Sequence, residues 1–317
     1  ADECEKLLIK RPQMVTPNGF EPDFVPGSRT YSTLRSRGRK HLLDIASKMT
    51  GRTWSDETLI IATSGRNEYR NKGLDVFLDS MARLSETGAA ARRDILALVL
   101  VPAWVKEPNG ELLIDMAQHG SLKVSHDFST HRLNNEDCDA AFCRVAQLQR
   151  EGRTGGEKQV KTIFIPCYLD GNDGIVNISY YDILPALDIT VFASYYEPWG
   201  YTPLESIAFG VPTVTTDKSG FGQWVESDVA HTRIPDAMEA LENTGVFVVE
   251  RDDNSYWQTV NGIASAIERY SSAAKDQTAA CSKAAAATAA LADWKNFIAA
   301  YDEAFAIADA NRDKRMK

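Results

Sequence analysis

Two stretches of the chain concentrate side chains suited to holding an anion, and each follows an apolar run. The first, residues 64–73 (SGRNEYRNKG), carries Arg66, Arg70 and Lys72 beside Gly65. An arginine offers phosphate oxygens a planar fork of donors, and a lysine adds a compact charge. The second, residues 194–222 (SYYEPWGYTPLESIAFGVPTVTTDKSGFG), carries the carboxylates Glu197 and Glu205 around a loop broken by Pro198 and Gly200. Thr202-Pro203-Leu204-Glu205 has the pattern of a capping box, with Thr202 at N-cap, Pro203 at N1 and Glu205 at N3. That helix is expected to stop near Gly210, ahead of Pro212. A helix start has unpaired N–H groups and a positive dipole end, which suits an anion.

The elements that must position these stretches follow from hydrophobic patterning. Apolar, β-branched runs occur at 58–63 (TLIIAT), 94–101 (DILALVLV), 161–165 (KTIFI), 188–194 (DITVFAS), 211–215 (VPTVT) and 245–249 (GVFVV). Helical spacing separates them, as at 73–84 (GLDVFLDSMARL) and 180–187. Strands this apolar, alternating with helices, predict an α/β fold: a doubly wound, Rossmann-like parallel sheet covered on both faces. Ligands in such sheets bind at the carboxyl edge, where both anion-suited stretches lie. Residues 103–160 interrupt the alternation and read as a polar insertion with one or two helices. The chain from 254 onward reads as helical. Within it Trp294, Phe297, Ile298, Tyr301 and Phe305 form one apolar stripe at helical spacing.

Composition bounds the function. The 317 residues carry 35 basic and 44 acidic side chains, a net charge of −9, with 44% hydrophobic and 25% charged residues. That balance excludes a general nucleic-acid or anionic-membrane binder. No apolar run reaches the roughly 18 residues of a membrane span. Five scattered cysteines suit a reducing, cytoplasmic setting better than a disulfide framework. His126, His131, Cys138 and Cys143 fall within a short polar stretch, but their spacing reads as loop residues rather than as a zinc site. Asp137-Cys138-Asp139 is a D-x-D triplet of the sort that arises by chance.

The wording of the two stretches resembles the glycogen synthase family. Glu197 and Glu205, spaced E-x7-E within YEPWGYTPLES, stand together with SGRNEYRNKG, with VTPNGFE at 15–21 and with SGFG at 219–222. The resemblance covers most of the chain and is nearer to the UDP-glucose type than to the bacterial ADP-glucose type. It implies the C-terminal half of a GT-B fold: residues 1–21 as the end of an acceptor domain and connection, 22–292 as the nucleotide-sugar domain, and 293–317 as a helix crossing back. It implies that Arg66 and Lys72 bind the donor diphosphate, so that no metal is needed, and that Glu197 bonds the hydroxyls of the transferred glucose. Trp199, Gly200 and Tyr201 are implied to line the pocket, Thr202 to touch a phosphate, Glu205 to bind the ribose and Tyr180 to stack on the uracil. The reaction implied is transfer of glucose from UDP-glucose to an α-glucan with retention, a donor phosphate oxygen taking the acceptor proton.

The family's first domain is matched only by residues 1–21. The charged start without Met reads as the cut edge of a longer chain, which alone would at most bind a nucleotide sugar. The region matching the arginine-rich regulatory helix of eukaryotic relatives holds only Lys283 and Lys295, so regulation by that route is not expected. The insertion is a candidate for contacts in a homo-oligomer. Two other readings stay open from the residues: the donor domain of another GT-B transferase, and a non-catalytic nucleotide-sugar-binding module.

Overall fold

Strands form where aliphatic and β-branched side chains alternate and both faces of the sheet find cover. A computed structural model of the chain describes residues 2–86, 93–117, 128–151 and 159–315. The main sheet contains β1 (Leu59–Ser64), β2 (Ile95–Leu100), β5 (Val160–Ile165), β6 (Ile189–Phe192), β7 (Thr213–Thr216) and β8 (Val246–Val249), all parallel. A separate antiparallel pair, β3 (Val105–Pro108) and β4 (His131–Leu133), lies in the insertion. The sheet order is β5-β2-β1-β6-β7-β8. The chain therefore winds outward from β1 in one direction and then from β6 in the other, the doubly wound arrangement. The reversal falls between β1 and β6, whose ladder pairs Ile61 with Ile189 and Ala62 with Thr190.

Helices fill both faces. α1 (Asp2–Leu8) and α2 (Ser28–Thr50) precede the sheet, and α3 (Leu74–Glu86) joins β1 to β2. The insertion contributes α4 (Gly110–Ala117) and α5 (Ala140–Glu151). α6 (Tyr180–Ile183) leads into β6, α7 (Tyr201–Ala208) follows it, and α8 (Gly220–Trp224) and α9 (Ala237–Thr244) lie between β7 and β8. α10 (Tyr256–Ser272), α11 (Lys275–Leu291) and α12 (Trp294–Arg315) close the chain. Alternation along β1 divides the core. Leu59 and Ile61 share a layer with Phe77 and Met81 of α3 and with Ile263 and Ile267 of α10. Ile60 and Ala62 share the other with Leu42, Ile45 and Met49 of α2, Ile207 of α7 and Ala289 of α11. Each of the buried Leu, Ile, Met and Phe side chains among these stabilises the fold by about 1.5–3 kcal/mol.

The amino edge of the sheet is tied by charge. Asp188, just before β6, accepts from Arg35 Nη2 at 2.7 Å, Arg39 Nη1 at 2.8 Å and the Ile60 N–H at 2.8 Å. Arg39 also donates to the carbonyls of Asp56 and Thr58.

The terminal helix departs from the expected stripe. Trp294, Phe297 and Tyr301 are half-buried, but Ile298 and Phe305 are 53% and 67% exposed. The helix rests on the body along another line: Phe297 meets Trp199 and Trp224 edge-on, the Tyr301 hydroxyl donates to Asn18 at 3.0 Å, Ala304 and Ile307 are half-buried, and the Asn311 amide donates to Gln13 at 2.7 Å. Among the described residues no helix is long and apolar enough to cross a membrane.

Candidate functional site

The loop after β1 presents Arg66 and Lys72 at the carboxyl edge, beside the reversal point. Its turns are closed by main-chain bonds from Glu68 to Arg66 and from Lys72 to Glu68, both 2.8 Å. Glu68 is held below the usual carboxylate range by the Asn71 amide at 2.7 Å, with Arg66 and Lys72 adding to the effect. The loop after β6 presents Glu197. Its main chain is pinned on both sides: the Glu197 N–H donates to Lys218 O at 3.1 Å, and its carbonyl accepts from the Gly220 N–H at 3.0 Å. This gives SGFG a physical reading. Ser219 caps α8 through the Gly222 N–H, and a Cβ on Gly220 would lie 2.3 Å from the Pro198 carbonyl.

The two loops meet. The Tyr195 N–H donates to the Asn71 carbonyl at 2.8 Å. Gly73, at φ +69°, packs so closely that a Cβ there would lie 1.8 Å from Ala193 O. The result is an ion pair between Lys72 Nζ and Glu197 Oε2, whose side chains are only 16% and 21% exposed. Arg66 is not drawn in: its side chain is 80% exposed and lies 3.3 Å from Glu68. Lys72 and Glu197 are thus brought together, and Arg66 is not.

The capping box requires correction. α7 begins at Tyr201, two residues before the expected first position at Pro203, and its N-cap is Gly200 rather than Thr202, at φ +113° without a side-chain cap bond. Gly200 tolerates that backbone where a threonine would be strained. Thr202 is therefore the second residue of the helix, and Glu205 lies a turn in, too far along to reach back to the start. The first N–H groups of α7 remain uncapped by any side chain and face the carboxyl edge.

Glu205 is instead gripped by tyrosines. The Tyr181 hydroxyl donates to Glu205 Oε1 at 2.9 Å, and the Tyr180 hydroxyl lies 3.0 Å from Ser64 Oγ at the end of β1. Burial raises the Glu205 carboxyl above its ordinary range, against the hydroxyls of Tyr181 and Tyr180 that pull it down. Burial and the facing carboxylate push Tyr181 up to about 12 and raise Tyr180 as well. Tyr181 stacks parallel on Phe209 at 5.7 Å. Trp199 turns its indole into an aromatic group with Phe221, Trp224 and Phe297, and its Nε1 is buried without a partner. Its side chain is thus committed to packing, and the Phe221 N–H binds its carbonyl at 2.8 Å. Tyr201 is 46% exposed at the start of α7.

Among the described residues, His131, Cys138 and Cys143 do not gather as one metal-ligand group. His126 lies outside the described residues, and Cys138 and Cys143 are exposed. His131 is buried, but between Thr130 Oγ1 and the Asp173 carbonyl, both at 2.9 Å. It does approach Cys167 and Asp173, yet the Asp173 carboxylate already accepts the N–H groups of Ile175, Val176 and Asn177. Asp139 of the D-x-D triplet caps α5 through the Phe142 N–H and accepts from Asn67 at 2.6 Å. That bond ties the insertion to the cation loop.

Comparison with known proteins agrees with this geometry. The glycogen synthase family model matches residues 1–136 and 127–312. The chain is 26% identical to a glycogen [starch] synthase of Neurospora crassa over 324 aligned positions, covering 82% of this chain and 44% of that one. It is 28% identical to the human liver glycogen [starch] synthase over 302 positions, covering 79% and 42%. It therefore spans less than half the length of these relatives. In fold it is similar to a sucrose-phosphate synthase from Thermosynechococcus elongatus, with a TM-score of 0.52 at 17% identity over 98% of this chain and 56% of that one. It is also similar to Anabaena HepE, solved in complex with UDP and glucose, with a TM-score of 0.50 at 14% identity, covering 93% and 56%. The match from one end to the other, over a doubly wound α/β sheet with these two loops at its reversal point, means that the chain belongs to the glycogen synthase family.

Proposed function

We propose that this chain is the donor-binding domain of a metal-independent, retaining glucosyltransferase, which takes glucose from UDP-glucose and adds it to an α-1,4-glucan in the cytoplasm. The observation that carries the reading is the Lys72–Glu197 pair at the reversal point, beside the uncapped start of α7. A diphosphate competes with Glu197 for Lys72, and Arg66 folds in from solvent to add its fork. Released, Glu197 becomes an acceptor for glucose hydroxyls. The main chain around Trp199, Gly200 and Tyr201 lines the sugar and phosphate pocket, and Thr202 meets a phosphate. Glu205 takes the ribose hydroxyls and Tyr180 the uracil. Anabaena HepE, similar to this chain in fold, was solved in complex with UDP and glucose, which supports a ligand of this class. The chemistry is positioning and charge stabilisation: the cations take up the charge of the leaving diphosphate, while a phosphate oxygen accepts the proton of the attacking hydroxyl.

Calorimetry with UDP, UDP-glucose and ADP-glucose tests this. UDP and UDP-glucose bind in preference to ADP-glucose. Lys72→Ala weakens UDP binding by about ten- to a hundredfold, in line with about 1.5–3 kcal/mol for hydrogen bonds to charged groups, and Arg66→Ala by less. No binding of any of the three, or equal binding by Lys72→Ala, overturns the reading.

A further inference from the structure

Arg251 follows β8 and is far in sequence from both loops, yet its guanidinium sits where they meet. It is 4% exposed. Its Nη1 donates to the Ala193 carbonyl and its Nη2 to the Arg70 carbonyl at 3.2 Å. Asp75 Oδ1 lies 3.4 Å from Nη2, and the Tyr195 ring lies under the guanidinium at 5.4 Å. The Arg251 main chain is itself fixed by its N–H to Asp217 at 2.9 Å.

A guanidinium this deep is costly to hold unless its donors are engaged. Here the donors go largely to main-chain carbonyls rather than to a carboxylate alone. The two carbonyls belong to different loops, one two residues before Lys72 and the other four residues before Glu197. The main-chain contacts at Asn71–Tyr195 and Gly73–Ala193 lie beside the same fork. A planar fork bridges two acceptors at a fixed separation, which the single ammonium of a lysine does not reproduce.

We propose that Arg251 is a positioning residue of the donor site, setting the separation of Lys72 from Glu197 by clamping the loops after β1 and β6 together. This rests on the donor-site reading above. The test is UDP affinity in a double-mutant cycle on this chain. Arg251→Lys keeps the buried charge beside Asp75 and lowers UDP affinity about tenfold, while in a Lys72→Ala background it lowers affinity by less than about twofold, because the group it positions is gone. Tyr195→Leu, which removes the ring under the guanidinium and the hydroxyl that donates to Asp253, gives a smaller loss of about threefold with the same coupling, and it carries the cycle if Arg251→Lys does not fold. Equal losses in both backgrounds, or unchanged affinity, overturn the proposal while leaving the donor-site reading in place. Absence of UDP binding by the unaltered chain sinks the donor-site reading, and the positioning role with it.

Discussion

Ion pairs lie at both ends of the adjoining strands β1 and β6, and the two ends are built differently. At the amino edge, Asp188 is saturated: two arginines and a main-chain N–H fill its oxygens, and Arg39 spends its remaining donors on fixed carbonyls. At the carboxyl edge, Lys72 meets one carboxylate, Glu197, and the neighbouring Arg66 points into solvent. The same pair of hydrogen-bonded strands thus supports a closed network below and an open one above. Saturation marks charge used to hold the sheet together. Under-saturation marks charge that a ligand can redirect.

The largest effect that sharpens this contrast is expected below. Asp188→Ala leaves Arg39 mostly buried, its side chain 13% exposed, without its carboxylate. Removing one partner of a buried pair costs about 3–5 kcal/mol, to be read as a lowered urea midpoint. Folded Asp188→Ala protein keeps its UDP affinity. A loss of affinity without a loss of stability would reverse the assignment of the two edges.

A smaller effect is expected above. Glu197→Gln removes the charge that competes for Lys72 but keeps an acceptor in place. UDP affinity rises, because the diphosphate no longer competes with a carboxylate for the Lys72 ammonium. The preference for UDP-glucose over UDP falls at the same time, because a neutral amide is a weaker acceptor for sugar hydroxyls. Competition calorimetry reads both, and a drop in UDP affinity would mean that the pair is structural after all.

Much of this contrast was legible in the sequence, and what was not has physical causes. The runs at 58–63 and 188–194 gave the strands to within a residue or two because both faces are buried. Lys72 stands out as a cation in the loop after the first of these runs and Glu197 through the E-x7-E resemblance, but neither signal announces the ion pair between them. Helix α2 was overlooked although Leu42, Ile45, Ala46 and Met49 fall at helical spacing. Thr202 was misassigned as N-cap because a Gly200 at positive φ leaves no side-chain signal, and Pro203 fits the third helical position as well as the first. The stripe at 294–305 is half right, because the covered line of α12 runs from Tyr301 through Ala304 and Ile307 rather than through Ile298 and Phe305. Arg251 gave no local signal at all: its partners, Arg70, Asp75 and Ala193, are distant in sequence, and two of its acceptors are main-chain carbonyls, which every residue carries.

The smallest effect concerns Glu205, which lies between the two regimes: partnered by Tyr181 yet partly desolvated. Burial raises its pKa in the folded chain above the ordinary value of 4.5. In the window just above 4.5 the folded state therefore holds more proton than the unfolded one, so stability declines as pH rises through it and is fully present only below it. Asp75 and Glu226 shift in the same direction, again through burial, and contribute to the same decline. Glu205→Gln cannot ionise, and its amide oxygen still accepts the Tyr181 hydroxyl. The variant is expected to lose Glu205's share of the slope and to be slightly the more stable chain, relative to the parent, at neutral pH than at pH 4. Urea unfolding at a series of pH values reads the difference. A difference of the opposite sign would mean that the tyrosine hydroxyls outweigh desolvation and that Glu205 belongs with Asp188 among the saturated charges.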